Sequence, residues 1–336
     1  MQGFDGIVHA AVWTSGDGET WQESFRARGA SEIGLRPQFA RTGLLAVGSR
    51  LVGLGLRFGG LGYGMQCSPG QTCPPDPVAV WTSSDGLSWQ AQPRSPAFDG
   101  ATIAAAASDS RTILAVGDSG WLHPGIWITT DGVRWQREAL PVSLFRDAHL
   151  TDVAAVPGGW ILGSDTAHEQ VQCCINSAFP DVPAAWYSPD GRHWHRATLS
   201  GPDAQLRHND IEGFGVGAQV ITSDVGFVST DAGHSWQWRP RTLPEGMAAS
   251  DGQHVIGWSD YPTSNPDTSV DMPTTHLNFF VSADGLGWLP RVAQGDLADL
   301  PPSSLQGDFG VVVLPHGLAA LNGEGSLWVA TAVSGK

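Results

Sequence analysis

The sequence predicts an all-β fold, a six-bladed β-propeller of four-stranded antiparallel blades that forms one domain over residues 1–336. Three observations predict it. A short segment with an aromatic strand, an Asp–Gly turn and a Trp recurs six times. Pairs of short apolar segments lie between these repeats. The 43 Gly and 23 Pro residues supply the turns that many short strands need.

Each repeated segment predicts a β-hairpin. An aromatic and β-branched stretch favours a strand, and the Trp after the turn begins the return strand. The Asp side chain can accept hydrogen bonds from N–H groups of the turn, and Gly can adopt a positive φ. Ten of the 15 Trp residues fall in these hairpins, so we assign the aromatic content mainly to the scaffold. The turn aspartates are Asp17, Asp85, Asp131, Asp190, Asp231 and Asp284.

The segments between hairpins predict six pairs of inner strands with small apolar residues, as the crowded centre of a propeller requires. The clearest pairs are 42–48 with 51–56, 103–107 with 113–117, and 153–156 with 160–163. The N-terminus brings only an outer hairpin and the C-terminus an inner pair, so both chain ends are expected to close one blade. Residues 326–330 resemble one additional third strand and leave a seven-bladed propeller as the alternative.

The hairpins resemble the Asp box, or bacterial neuraminidase repeat, of the sialidase-like propellers. The family pattern is Ser-x-Asp-x-Gly-x-Thr/Ser-Trp, which residues 229–236 match fully, whereas the other five copies have Gly directly after Asp. The resemblance places the boxes on structural turns between third and fourth strands. It implies that ligands bind on the opposite face, at the mouth of a central channel.

The loops on that opposite face carry the candidate site. A carboxylate pair there could perform acid/base chemistry on a glycosidic bond, and a histidine could serve as base or metal ligand. The catalytic candidates are Asp147, His149, His208 and Asp210. The ligand-binding candidates are Asp99, Arg146, Arg207, Asp308, Trp121 and Arg36.

The sialidase catalytic set is not recognisable in the sequence. Sialidases use three arginines, a Tyr–Glu nucleophile pair and an Asp acid, and their first arginine lies in an Arg-Ile-Pro motif. Leu35-Arg36-Pro37 is the nearest approach, and Arg146 and Arg207 could complete an arginine triad by position alone. No Tyr–Glu pair is identifiable, so we expect no true sialidase activity.

The sequence predicts no cofactor and no metal site, and a Ca²⁺ site is the one alternative. Asp260, Asp267 and Asp271 lie in a long loop and have the ligand type that Ca²⁺ prefers, although acidic loops are commonly just solvated. His193 and His195 flank Trp194 and would share one face of an outer strand. We interpret them as exposed rim residues.

Cysteine usage predicts an extracytoplasmic protein, secreted or tethered to a surface. Cys67 and Cys73 enclose a Gly/Pro-rich loop that fits a disulfide, whereas Cys173 and Cys174 could bridge each other or pair elsewhere. An even number of cysteines in loops favours an oxidising compartment. Residues 1–5 do not resemble a signal peptide, so we expect that the chain starts at a trimmed mature end.

Charge and hydropathy exclude several classes of function. The net charge of −15 argues against nucleic acid and anionic membranes as partners. No apolar run reaches the roughly 18 residues of a membrane span, so membrane insertion is not expected. The only lysine is Lys336, which excludes Schiff-base chemistry in the body of the chain. We expect a monomer.

Three functions remain open from the sequence. The first is a propeller that binds a glycan or protein ligand on the face opposite the Asp boxes. The second is a glycan-active enzyme, either a glycoside hydrolase or a polysaccharide lyase, that uses Asp and His at the channel mouth. The third is an assembly factor similar to the propellers that help build photosynthetic complexes, which depends on fold analogy alone.

Overall fold

Antiparallel sheets follow one another along the chain in the computed structural model. It describes residues 11–14, 22–26, 31–33, 44–57, 78–119, 123–146, 148–166, 183–202, 211, 214–223, 226–239, 246–250, 253–259, 278–291, 309–314, 317–322 and 327–331. All regular elements in these ranges are strands, apart from a short 3-10 helix at Pro96–Phe98. No helix in the described part of the chain has the length and apolar character of a membrane span.

A separate hairpin and the first sheet come at the start of the chain. In the first sheet, β3 and β4 both pair with β5, and β6 and β7 complete it. The hairpin is β1 (Ala11–Thr14) with β2 (Gln22–Arg26), and the first sheet is β3 (Ser31–Ile33), β4 (Leu44–Val47), β5 (Arg50–Arg57), β6 (Val78–Ser83) and β7 (Gln90–Ala91).

The second and third sheets each contain four antiparallel strands in chain order. The second is β8 (Ala101–Ser108), β9 (Ile113–Ser119), β10 (Pro124–Thr129) and β11 (Gln136–Arg137). The third is β12 (Ala148–Val156), β13 (Gly159–Thr166), β14 (Ala184–Ser188) and β15 (His195–Arg196).

The last three sheets vary this plan. The fourth has an additional strand that pairs in parallel with its outer strand, and the sixth has three strands. The fourth is β16 (Thr198–Ser200), β17 (Gly215–Val216), β18 (Ile221–Thr222), β19 (Phe227–Ser229) and β20 (Ser235–Trp238). The fifth is β21 (Gly246–Ser250), β22 (Val255–Ser259), β23 (Asn278–Ser282) and β24 (Leu289–Arg291), and the sixth is β25 (Phe309–Leu314), β26 (Gly317–Asn322) and β27 (Leu327–Thr331).

Inner strands of successive sheets adjoin at four junctions, which gives a propeller-like arrangement. β4 contacts β8, β8 contacts β12, β17 contacts β21 and β21 contacts β25. The prediction of an all-β chain with several four-stranded antiparallel sheets is confirmed. The predicted extra strand is β27, which pairs with β26 as the third strand of the sixth sheet. Among the described pairings β1 meets only β2, so the blade number and the closure by both chain ends stay predictions.

Aromatic side chains join the second and third sheets to the segments that lead into them. Phe98, before β8, lies 5.9 Å from Trp127 between ring centroids, and Phe145, before β12, lies 5.0 Å from Trp186. The Trp127 indole N–H also donates to the Ala97 carbonyl at 2.6 Å. Both indoles are fully buried, so the linking segments belong to the core and hold the first strand of each sheet in place.

The strand directions define two faces of the molecule. The Asp–Gly turns join third to fourth strands and define the turn face. Because neighbouring strands are antiparallel, each first strand begins, and each second strand ends, at the opposite face, which we call the loop face.

Candidate functional site

The turn aspartates are hydrogen-bonded within their own hairpins. Asp85 Oδ1 accepts from the N–H groups of Leu87 at 2.8 Å and Ser88 at 2.7 Å, and the Ser83 hydroxyl donates to it at 3.0 Å. The N–H groups of Ser88 and Leu87, with that hydroxyl, lower the pKa of Asp85 below its ordinary value. These carboxylates are therefore occupied by the turn.

The other described turns repeat this geometry with one variation. Asp131, Asp190 and Asp284 each accept from the N–H groups two and three positions later. Asp231 instead accepts from the N–H of Ser235, four positions later, because its turn is one residue longer. Asp17 lies outside the described residues.

A histidine and an aspartate from neighbouring sheets meet at the loop face. His149 is at the beginning of β12 and Asp118 is near the end of β9, so both strands place them at that face. His149 Nε2 lies 2.9 Å from Asp118 Oδ2. The side chains are 24% and 16% exposed, so the pair is shielded but reachable from solvent.

The surroundings of this pair leave capacity for another hydrogen bond. The backbone N–H of His149 donates to the Ser164 hydroxyl at 3.1 Å. Asp118 Oδ1 is buried and has no hydrogen-bond partner among the described residues. A buried carboxylate oxygen without a donor is costly, and an ordered internal water would supply that donor.

A cleft of about 650 Å³ opens near the same strand ends, and neither His149 nor Asp118 is part of its lining. Ser119, next to Asp118, accepts a hydrogen bond from the Arg137 guanidinium, and its N–H donates to the His123 carbonyl at 2.7 Å. Arg137 and His123 both line the cleft. The complete lining is His123, Pro124, Arg137, Glu138, Ala139, Leu140, Val142, Phe145 and Arg146.

Charge in the cleft is predominantly positive. Glu138 is engaged by Arg192 at 2.5 Å, which offsets its charge. In the described part of the chain, no carboxylate lies within ion-pair distance of Arg137 or Arg146. On a chain with a net charge of −15, these two guanidinium groups form a local cationic site.

Three of the ten predicted catalytic and ligand-binding residues are described. His149 is in the pair and Arg146 lines the cleft. Asp99 forms an exposed ion pair with Arg94 at 2.8 Å and has no described contact with either. The rest lie outside the described residues: Asp147, His208, Asp210, Arg207, Asp308, Trp121 and Arg36.

Two other sets of residues bear on metals and disulfides. His193 Nδ1 is hydrogen-bonded to Asp190 Oδ2 at 2.6 Å, whereas the His195 ring stacks on Tyr187 with centroids 5.2 Å apart, so the two histidines have different partners. Among the described residues, no group of three or more His, Cys, Asp or Glu could hold a metal ion. Outside those residues lie Cys67, Cys73, Cys173, Cys174, Asp260, Asp267 and Asp271.

Sequence reasoning missed Asp118, although a signal exists. Asp118, Asp165 and Asp260 each follow the apolar part of a second strand. In strand register Asp118 pairs with Thr102, and Asp165 pairs with His149, at the beginning of the adjacent first strand. This recurrence predicts acidic residues at the loop-face ends of second strands.

Comparison with known proteins gives structural similarity alone, since no family model and no curated protein matches the chain. A mutant Trypanosoma rangeli sialidase with trans-sialidase activity is 13% identical with a TM-score of 0.43; the alignment covers 97% of this chain and 57% of that one. This chain thus spans little more than half of that sialidase.

Two further structures are similar over most of the chain. A putative glycosidase from Bacteroides thetaiotaomicron is 11% identical, with a TM-score of 0.42 and coverage of 100% and 96%. The protein YCF48, bound to a peptide, is 14% identical, with a TM-score of 0.41 and coverage of 77% and 88%. At these identities and TM-scores, none of the three assigns a role to any residue of this chain.

Proposed function

We propose that this protein binds a glycan at the loop face, where the His149–Asp118 pair and the cationic cleft both lie. The single observation that carries the proposal is the 2.9 Å contact between His149 and Asp118 across two sheets, where Asp118 Oδ1 has no hydrogen-bond partner among the described residues. An imidazole and a carboxylate together donate and accept hydrogen bonds, which suits the hydroxyl groups of a sugar.

The shape and lining of the cleft favour a small ligand segment over a flat protein surface. A volume of about 650 Å³ is in the range of small-molecule sites. Leu140, Val142 and Phe145 provide apolar contacts for the C–H face of a sugar ring. Arg137 and Arg146 favour a glycan that carries acidic groups, because a guanidinium recognises a carboxylate or sulfate through paired hydrogen bonds.

A binding screen tests the proposal directly. Wild-type protein would be applied to an array of acidic and neutral glycans, and the best ligand titrated by calorimetry against His149→Ala and Asp118→Asn. We expect each substitution to weaken binding about tenfold, which corresponds to about 1.4 kcal/mol. His193→Ala, a histidine substitution on the turn face, is the matched control. Wild-type protein that binds no glycan, or substitutions at positions 149 and 193 with equal effects, would contradict the proposal.

A second candidate function is catalysis on the same glycan. The observation that favours it is again the His149–Asp118 contact, because a carboxylate hydrogen-bonded to an imidazole is the arrangement that orients a general base. Mass spectrometry of the bound glycan after incubation distinguishes the two candidates. Cleavage that disappears in His149→Gln while binding persists supports an enzyme, and binding with intact product removes this candidate.

We also propose that the protein works outside the cytoplasm. The four cysteines support this location, since an even number of cysteines in loops suits an oxidising compartment. Alkylation of the protein purified without reductant measures the free thiols. Four protected cysteines are expected, and four alkylated ones would contradict the proposal.

A further inference from the structure

A second cleft opens on the turn face, between the fourth and fifth sheets. Its volume is about 530 Å³. Val220 and Val228 are buried apolar residues of its lining. Thr230 and Ser235 at one turn, and Asp284 and Leu286 at the next, place it at the opposite strand ends from His149. It is therefore separate from the site proposed for glycans above.

The cleft lies beside the turn glycine with the loosest contact to the preceding sheet among the four compared. At each described junction, a turn glycine faces a side chain of the preceding sheet. A Cβ built on the glycine would lie 2.4 Å from Val52 at Gly132, 2.7 Å from Leu114 at Gly191 and 2.3 Å from Ile161 at Gly233. At Gly285 the corresponding distance, to Val220, is 3.1 Å. The contact at this turn is thus looser than at the other three, and the cleft opens beside it.

The rim of the cleft combines planar amides with hydroxyl groups. Gln219 and Gln237 supply the amides, and Thr230 supplies a hydroxyl. Ser200 and Ser235 supply hydroxyl oxygens that can accept, since their protons are donated to the Trp236 carbonyl and to Asp231. Amides and hydroxyls both donate and accept hydrogen bonds, as do the hydroxyl groups of a sugar. The side chain of Leu286 is half exposed at the edge and offers an apolar contact for a sugar ring.

The charges at this cleft do not favour an ion. Asp284 Oδ1 accepts the N–H groups of Leu286 and Gly287, so this oxygen is engaged by its own turn. Arg239 donates to Gln237 Oε1, which orients the amide of that glutamine. The charges of Asp284 and Arg239 cancel, so the lining has no net charge. The loop-face cleft, in contrast, has two arginines.

We propose that the turn-face cleft is a second carbohydrate site and that it binds a neutral sugar unit. Apolar residues in the lining, amide and hydroxyl groups at the rim and balanced charge are the features that neutral sugars require. Gln237 is the central residue of the site, because it lines the cleft opposite Val228 in the strand register and its amide is held by Arg239.

Saturation-transfer NMR with neutral tetrasaccharides of glucose, galactose and mannose tests this site. The variants are Gln237→Ala and Thr230→Val, and the matched control is Gln136→Ala, which changes the same residue type at the same register position of the second sheet. We expect the wild type and Gln136→Ala to bind one of the tetrasaccharides, and Gln237→Ala to bind it about fivefold more weakly, as the loss of one hydrogen bond predicts. Circular dichroism and thermal unfolding verify that each variant is folded.

The results separate this site from the one at the loop face. His149→Ala is expected to leave neutral-sugar binding unchanged, and Gln237→Ala is expected to leave acidic-glycan binding unchanged. The inference is overturned if no neutral tetrasaccharide binds the wild type, or if Gln237→Ala and Gln136→Ala bind equally well. It is also overturned if His149→Ala abolishes the signal, because the sugar would then occupy the loop face.

Discussion

Gly233, in the turn of the fourth sheet, lies against Ile161, in the second strand of the third sheet. A Cβ on the glycine would be 2.3 Å from Ile161 Cγ2, and the φ of the glycine is +88°. Glycine is therefore required twice at this position, by the backbone conformation and by the contact between sheets. The turn glycines thus allow neighbouring sheets to approach closely, in addition to forming the hairpin turns.

Gly233→Ala is expected to destabilise the protein more than Gly158→Ala. Gly158 has φ +90° and open space where a Cβ would lie, so alanine there meets only backbone strain of about 1 kcal/mol. At Gly233 the overlap with Ile161 adds about 1–3 kcal/mol. Urea unfolding of both variants measures the difference. Equal losses of stability would show that the contact between sheets carries no energy.

Trp135→Phe is expected to cost less stability than Trp194→Phe. Both tryptophans follow an Asp–Gly turn and both are 7% exposed. The indole N–H of Trp194 donates to the Gly191 carbonyl at 3.1 Å, whereas that of Trp135 is buried without an acceptor among the described residues. Losing the hydrogen bond costs about 1 kcal/mol, and removing an unpaired N–H recovers desolvation energy. Chemical denaturation compares the two variants, and a larger loss at Trp135 would contradict this account.

The hairpins could be predicted from the sequence because their determinants are local. Asp85, Gly86 and Trp89 lie within five positions of one another, so the turn, its hydrogen bonds and the return strand are all encoded in one short segment. The inner strands were also predictable, since strands such as β9 consist mainly of small and apolar residues. The parallel strand β16 was not, because its pairing with β20 joins segments more than 30 residues apart.

The site was predictable only in part because it is assembled from different sheets. His149 could be found as a polar residue in a loop that leads into a first strand. Its partner Asp118 lies 31 positions earlier and in another sheet, so no local pattern joins the two. The cleft depends on Arg137 at the end of an outer strand. The direction of the Arg137 side chain is set by packing, which no local sequence pattern encodes.

Asp85→Asn is expected to reduce the loss of stability in acid. Hydrogen bonds from Ser88 and Leu87 lower the pKa of folded Asp85 below its ordinary value of 3.8. The ionised carboxylate therefore stabilises the fold above that value, and the contribution is lost as the pH falls through the lowered pKa. Asparagine can still accept a hydrogen bond through its amide oxygen but does not titrate in this range.

Thermal unfolding between about pH 5 and about pH 2 measures this effect. The wild type should lose more stability across that range than Asp85→Asn, and the variant should be less stable than the wild type near neutral pH. Asp99→Asn, which removes one charge from an exposed ion pair, is the matched control. Parallel pH profiles for the wild type and Asp85→Asn would contradict the prediction.

The contact between His149 and Asp118 is expected to couple the second and third sheets energetically. Asp118→Ala and His149→Ala each remove one partner of a half-shielded pair, and the double variant removes both. If the pair stabilises the fold, the double variant loses less free energy of unfolding than the two single variants lose together. The expected difference is about 1 kcal/mol. Urea unfolding without any glycan measures this coupling, so the result is independent of ligand binding. The exposed pair of Arg94 and Asp99 serves as the control cycle, with a coupling close to zero. A coupling at His149 and Asp118 no larger than that of the control would mean that the two side chains merely lie near each other and are held by their own sheets.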